Sequence, residues 1–286
     1  MKVVMTLLVR DEEDILGSNL DFHLQQGVDF FIVTDNLSVD STPDILHDYE
    51  RAGVAQYLRE VDDDFSQHRW VTRMARMAAL DHGADWVINS DADEFWVPVS
   101  GSGTLRDVLA SIPANVPAVS AKRSNFVPLG WERRANPVTE MIFKEQDPNA
   151  VFGEPLPAKV AHRAFPDIAV EQGNHAVRQR GAKLHAAEAS LQIFHYPLRF
   201  YQQFENKIAK GGAAYARNGE LPYESGRAWR ELYKLWRAGE LPSYFRERAL
   251  SPENIQEQVQ NGTLVVDRTA ADLLNKAAQS PEAGNK

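Results

Sequence analysis

Asp91 and Asp93 close the run Asp85-Trp86-Val87-Ile88-Asn89-Ser90-Asp91-Ala92-Asp93-Glu94-Phe95. The apolar stretch reads as a short buried strand, which puts both carboxylates at its C-terminal end. Residues i and i+2 of a strand share one face, roughly 7 Å apart, and a bend brings them closer. Paired carboxylates suit a hard divalent cation, Mg²⁺ or Mn²⁺, held against phosphate oxygens. In open α/β sheets the ligand crevice lies outside the carboxyl ends of the strands. The spacing therefore predicts chemistry on a metal-bound phosphate ester.

The elements needed to place that strand end are legible on either side of it. Val3 to Val9 reads as a strand, and Leu16, Leu20 and Leu24 recur at helical spacing before Gly27. Residues 30–34 and 54–58 read as further strands. Between them lies a helix in which Thr42 is the expected cap and Pro43 the first residue. Ser66 opens a helix with a Trp70, Met74, Met77 and Ala78 core stripe. On its other face Arg69, Arg73 and Arg76 either reach phosphate or simply meet solvent. A short capped helix covers 104–112, and β-like pieces follow at 118–121, 140–143, 159–161 and 191–194. From Leu198 the pattern is helical, and the tail after Asp272 is expected to fray. Strand and helix in alternation predict a mostly parallel, doubly wound α/β sheet. We divide the chain into a catalytic domain, 1–197, and a C-terminal helical extension, 198–286.

The 286 residues carry a formal net charge of -9, which argues against nucleic acid as a partner. Cysteine is absent, excluding disulfides and thiolate chemistry. No segment approaches the ~20 apolar residues of a membrane span. The expected location is cytoplasmic, with peripheral contact at the inner membrane face if the acceptor is lipid-linked.

Three motifs stand in order at strand ends: Val9-Arg10-Asp11-Glu12, Asp35-Asn36-x-Ser38-x-Asp40-x-Thr42 and Trp86-Val87-x-x-x-Asp91-x-Asp93-Glu94-Phe95. Together they resemble a family-2-type glycosyltransferase with the Rossmann-related GT-A fold, in the bacterial subgroup with an Asp-x-Asp-Glu-Phe motif. The C-terminal half resembles it more loosely, through His195-Tyr196-Pro197-Leu198-Arg199. The resemblance implies a nucleotide pocket lined by Arg10 and a base contact, commonly to uracil, from Asp35. It implies that Asp91 contacts ribose or reaches the metal through water, and that Asp93 binds the metal directly. Glu94 would lie beside the donor sugar, and His195 would be a further metal ligand for Mn²⁺ or Mg²⁺. The implied partners are a nucleotide-diphosphate sugar, commonly a UDP-sugar, and a glycan, lipid-linked or small-molecule acceptor.

An inverting transferase also needs a base near the acceptor hydroxyl. Related enzymes place it roughly 80–90 residues after the acidic pair, where Asp167, Glu171 and His175 stand; we take His175. Trp131, in a polar loop, is a candidate sugar-stacking residue. Two other readings remain: an inactive nucleotide- or glycan-binding module, and a metal-dependent nucleotidyltransferase lacking the usual glycine-rich first loop.

Overall fold

Apolar runs separated by amphipathic stretches produce a main eight-stranded sheet with helices packed on it, beside smaller sheets of three and two strands among the described residues. The computed structural model describes residues 1–63, 66–99, 103–146, 156–218, 222 and 226–278. Its strands are β1 (Val3–Val9), β2 (Phe30–Asn36), β3 (Ala55–Glu60), β4 (Trp86–Asp91), β5 (Glu94–Pro98), β6 (Ala118–Asn125), β7 (Phe143–Glu145), β8 (Lys159–Arg163), β9 (Ile168–Val170), β10 (Val177–Gln179), β11 (Ala182–Lys183), β12 (Ala186–His195) and β13 (Leu264–Val266). The helices are α1 (Leu16–Gln25), α2 (Thr42–Arg51), α3 (Gln67–Leu80), α4 (Leu105–Ser111), α5 (Pro137–Glu140), α6 (Tyr201–Arg217), α7 (Arg227–Ala238), α8 (Leu241–Arg246), α9 (Pro252–Gln260) and α10 (Thr269–Ala278).

The main sheet runs β3-β2-β1-β4-β8-β6-β12-β5. β3, β2, β1 and β4 are mutually parallel, β8 is antiparallel to both neighbours, and β5 is antiparallel to β12. This is the mixed, mostly parallel GT-A-like sheet with a C-terminal helical extension that the sequence predicts. β1 and β4 are central and nearly fully buried, which explains their unbroken apolar runs. α6, α7 and α8 gather around Phe204, Ile208, Leu232 and Phe245, while Ala270 of α10 joins the main core. Among the described residues no helix is long and apolar enough to cross a membrane.

Four local expectations change. Thr42 does not cap α2; its hydroxyl accepts the Glu12 backbone N–H at 2.9 Å and ties that helix to the loop after β1. The strand expected at 140–143 starts at Phe143, because Asn136 caps a helical turn with Pro137 in its first position. Trp131 stacks on Tyr201 at 4.0 Å with Arg246 over its ring, so its faces serve the helical cluster. The tail is helical through Ala278, with Ala270 and Ala271 buried; residues 279–286 lie outside the described ones.

Several histidines are buried and neutral. Burial pushes His162 and His175 down to about 4 and His23 down to about 3. His23 accepts the Trp96 N–H at Nε2 while its Nδ1 bonds the Asn19 carbonyl, a pairing that needs the neutral ring. A lowered folded-state value means that the unfolded chain binds more protons below about pH 6.5. The stability these groups contribute is therefore complete above pH 6.5 and is lost as pH falls through about 4. Thermal melts should show the midpoint falling steadily from pH 6.5 to 4; a flat profile over that window would contradict it.

Candidate active site

The acidic pair does not share one strand face. β4 ends at Asp91, Ala92 and Asp93 form a turn, and Glu94 begins β5 at the far side of the sheet. The two carboxylates consequently meet different partners. The Asp91 carboxylate accepts from Lys159 Nζ at 2.6 Å and lies 3.4 Å from Gln67 Nε2. Lys159, only 2% exposed, also lies 3.2 Å from Glu94 Oε1, the same oxygen that Arg123 approaches at 3.4 Å. Burial pushes the Glu94 carboxyl up, with Lys159 opposing.

Asp93 is buried. Lys207 of α6 donates to it at 2.5 Å, and Arg199 stands 3.9 Å away. Burial works to raise the Asp93 carboxyl, but Lys207 and Arg199 outweigh it and hold it well below the usual range. On its other side, Asp93 Oδ1 lies 3.8 Å from His195 Nε2. Asn125 fixes the state of that ring. Its amide N–H donates to Glu145 at 3.0 Å, which turns its oxygen toward His195 Nδ1 at 2.8 Å. Nδ1 therefore carries the proton, and Nε2 presents a lone pair to a carboxylate oxygen. Burial, opposed by Asp93, holds His195 well below its ordinary value, so the ring is neutral. Two acceptors facing each other at this distance are a pairing that a shared cation would relieve. Among the described residues no three His, Cys, Asp or Glu side chains cluster as a complete cage. Asp93 and His195 thus fit a cation that takes its remaining ligands from phosphate and water, the usual habit of Mg²⁺.

Loop residues after β1 complete the basin. Arg199, fully buried, binds Glu12 at 2.5 Å and Asp14 through two nitrogens at 2.5 and 2.9 Å. Burial raises the Glu12 carboxyl to about 7 despite Arg199 and Lys207. Asp11 adopts a left-handed backbone (φ 54), and its carboxylate bonds the Val39 N–H, Asn206 and Lys210. α6 reaches the basin because Gly211 and Gly212 let α7 press close; a Cβ at either would collide with Trp229 or Tyr233.

Of the residues singled out by sequence, Asp91 and Glu94 meet at Lys159, and Asp93 meets His195. Asp35 is buried at the end of β2, accepting from Ser38 N–H at 3.1 Å and Tyr57 O–H at 3.2 Å. Arg10 lies at the end of β1 with its guanidinium on Asp63 at 2.6 Å. Arg69 is exposed on α3, Arg73 pairs with Glu60, and Arg76 donates to the Ile168 carbonyl. His175 sits behind Lys159 with Nδ1 on the Ala158 carbonyl at 2.8 Å. Asp167 and Glu171 pair with Arg180 and Arg178. Arg199 stands in the segment 195–199 without a role assigned from sequence, and Lys159, Lys207 and Lys210 have none either. A lone lysine inside the apolar strand Lys159-Val160-Ala161 was a usable signal; the α6 lysines carry no motif.

No curated protein matches the chain. The solved structure of S. aureus TarS 1-349 is 12% identical, covering 92% of this chain and 92% of that one, with a TM-score of 0.41. The same fragment with UDP-GlcNAc matches at 12% identity over 92% and 93%, TM-score 0.41. Glucosyl-3-phosphoglycerate synthase from Mycobacterium tuberculosis, with Mn²⁺, UDP and phosphoglyceric acid, is 20% identical over 57% and 56%, TM-score 0.33. The profile of glycosyltransferase family 92 matches residues 5–211.

Proposed function

The chain belongs to glycosyltransferase family 92, and on that premise we propose that it transfers a sugar from a UDP-sugar to a hydroxyl acceptor with the help of Mn²⁺ or Mg²⁺. The observation that carries this reading is the bare His195 Nε2 facing Asp93 Oδ1 at 3.8 Å. Asp93 and His195 would hold the cation, which supplies Lewis-acid stabilisation of charge on the leaving diphosphate. Lys207 and Lys210, one turn apart on α6, exchange Asp93 and Asp11 for phosphate oxygens when the donor enters. Asp35, with Tyr57 beside it, receives the base at the end of β2, and Arg10 lines the same pocket. Asp91 orients the ribose, and Arg69, exposed on α3, contacts a donor phosphate. Glu94, braced by Lys159 and Arg123, sets the donor sugar. The Asp-x-Asp reading of the acidic turn and the kinship to family-2-type enzymes belong to this same proposal. We place the protein in the cytoplasm, with the acceptor a glycan, a lipid-linked sugar or a small molecule.

A thermal-shift panel of UDP, GDP, CDP and dTDP, each with Mn²⁺ and with EDTA, tests the reading. At about 100 times its dissociation constant a ligand stabilises by about 2.7 kcal/mol, so a shift with UDP that EDTA abolishes is expected. Equal shifts with and without Mn²⁺ would remove the metal from the account, and no shift with any nucleotide would remove the donor site.

A further inference from the structure

Resting on that reading, we propose that the cavity behind His195 receives a neutral saccharide acceptor and that Glu145 takes the proton from its attacking hydroxyl. The cavity, about 610 Å³, lies between the ends of β6, β7 and β12 and a second wall built by residues 244–263. That volume falls within the usual range for small-molecule sites. His195 and Asn125 line it directly, so a single imidazole separates the cavity from Asp93. The same Asn125 amide that fixes His195 holds Glu145 at 3.0 Å, which anchors a carboxylate on the cavity side of the ring. Burial keeps the Glu145 carboxyl above its ordinary value, with the Asn125 hydrogen bond opposing, and so makes it a better proton acceptor.

The lining points to the class of ligand. Its charged members are Glu145 and Glu247 against Arg248, and Arg248 already covers the Tyr244 ring. Arg248 is engaged by Glu247 at 3.7 Å, so a phosphorylated or carboxylated acceptor would still meet the Glu145 carboxylate, whereas a sugar hydroxyl can donate to it. Gln146, Gln258 and Thr263 add uncharged donors and acceptors suited to hydroxyl groups. The second wall lies beyond residue 211, where the family match ends, so this chain's own C-terminal segment would select the acceptor.

In the step, the acceptor oxygen bonds to the anomeric carbon as the bond from that carbon to the diphosphate oxygen breaks. The electron pair leaves with the nucleoside diphosphate, and the hydroxyl proton passes to Glu145 and then to water. Anomeric configuration inverts. His175 stands away from this cavity, behind Lys159.

The test uses the intact chain with UDP and Mn²⁺ and a panel of uncharged methyl and p-nitrophenyl glycosides, read by saturation-transfer NMR and by product formation from UDP-sugars. At least one glycoside should bind, and Gln258→Trp, which fills the cavity from the half-buried, cavity-lining face of α9, should abolish that binding. Glu145→Gln should retain glycoside binding but lose transfer by about 10²–10⁴-fold, with His175→Gln far less affected. Binding that survives Gln258→Trp, transfer that survives Glu145→Gln, or a panel in which no glycoside binds each overturns the proposal. A UDP shift in both variants confirms that they are folded. Loss of the UDP shift in the unmodified chain would instead sink the donor-site reading beneath it.

Discussion

Asp93→Asn should lower transfer by about 10³-fold, because a cation held at this position supplies several kcal/mol of charge stabilisation and each 1.36 kcal/mol is a decade in rate. Asparagine keeps the size and one oxygen but removes the charge that a divalent ion needs. The loss should appear in metal-dependent UDP binding as well as in turnover. The variant is also expected to melt below the parent. Asp93 is buried and holds Lys207 at 2.5 Å, so asparagine leaves an ammonium short of its counter-charge. Lys207 keeps partial solvent contact and has Glu12 at 4.0 Å to turn to, so the fold should persist. Turnover within a few-fold of the parent would sink the role given to Asp93.

Arg199→Met should have the largest effect on stability. The guanidinium is buried and binds Glu12 and Asp14 together, with Asp93 behind them. Removing one partner of a buried ion cluster costs about 3–5 kcal/mol, because the carboxylates left behind stay buried without compensation. For a domain of this size that is a drop in Tm on the order of 10 °C. Arg199→Lys should recover little of it, since a single ammonium cannot replace the forked contact to Asp14 and the bond to Glu12 at once. Melting curves decide the matter, and a lysine variant indistinguishable from the parent would show that the fork is unimportant.

The strands and helices of the first hundred residues were legible because periodicity there is strong and the parallel strands are buried on both faces. β4 is a clear example, with five of its six positions inaccessible. The pairing of β5 with β12 was not legible, because nothing local tells Glu94-Phe95-Trp96 to cross to the far edge of the sheet. That crossing decides the site: it separates Asp91 from Asp93 and puts Asp93 beside His195, more than a hundred residues later. His195 was found through its motif, but its partner Asn125 and the cations Lys159 and Lys207 arrive only through tertiary packing. Thr42 shows a smaller version of the same limit. A good capping residue was drawn away by the nearby Glu12 N–H.

Anomalous diffraction from crystals of the chain grown with Mn²⁺ and UDP tests the central claim most directly. The account predicts a manganese peak bridging Asp93 Oδ1 and His195 Nε2, with Lys207 moved from Asp93 onto the diphosphate. UDP bound in the crevice with no manganese at that position, and with Lys207 still on Asp93, would contradict it.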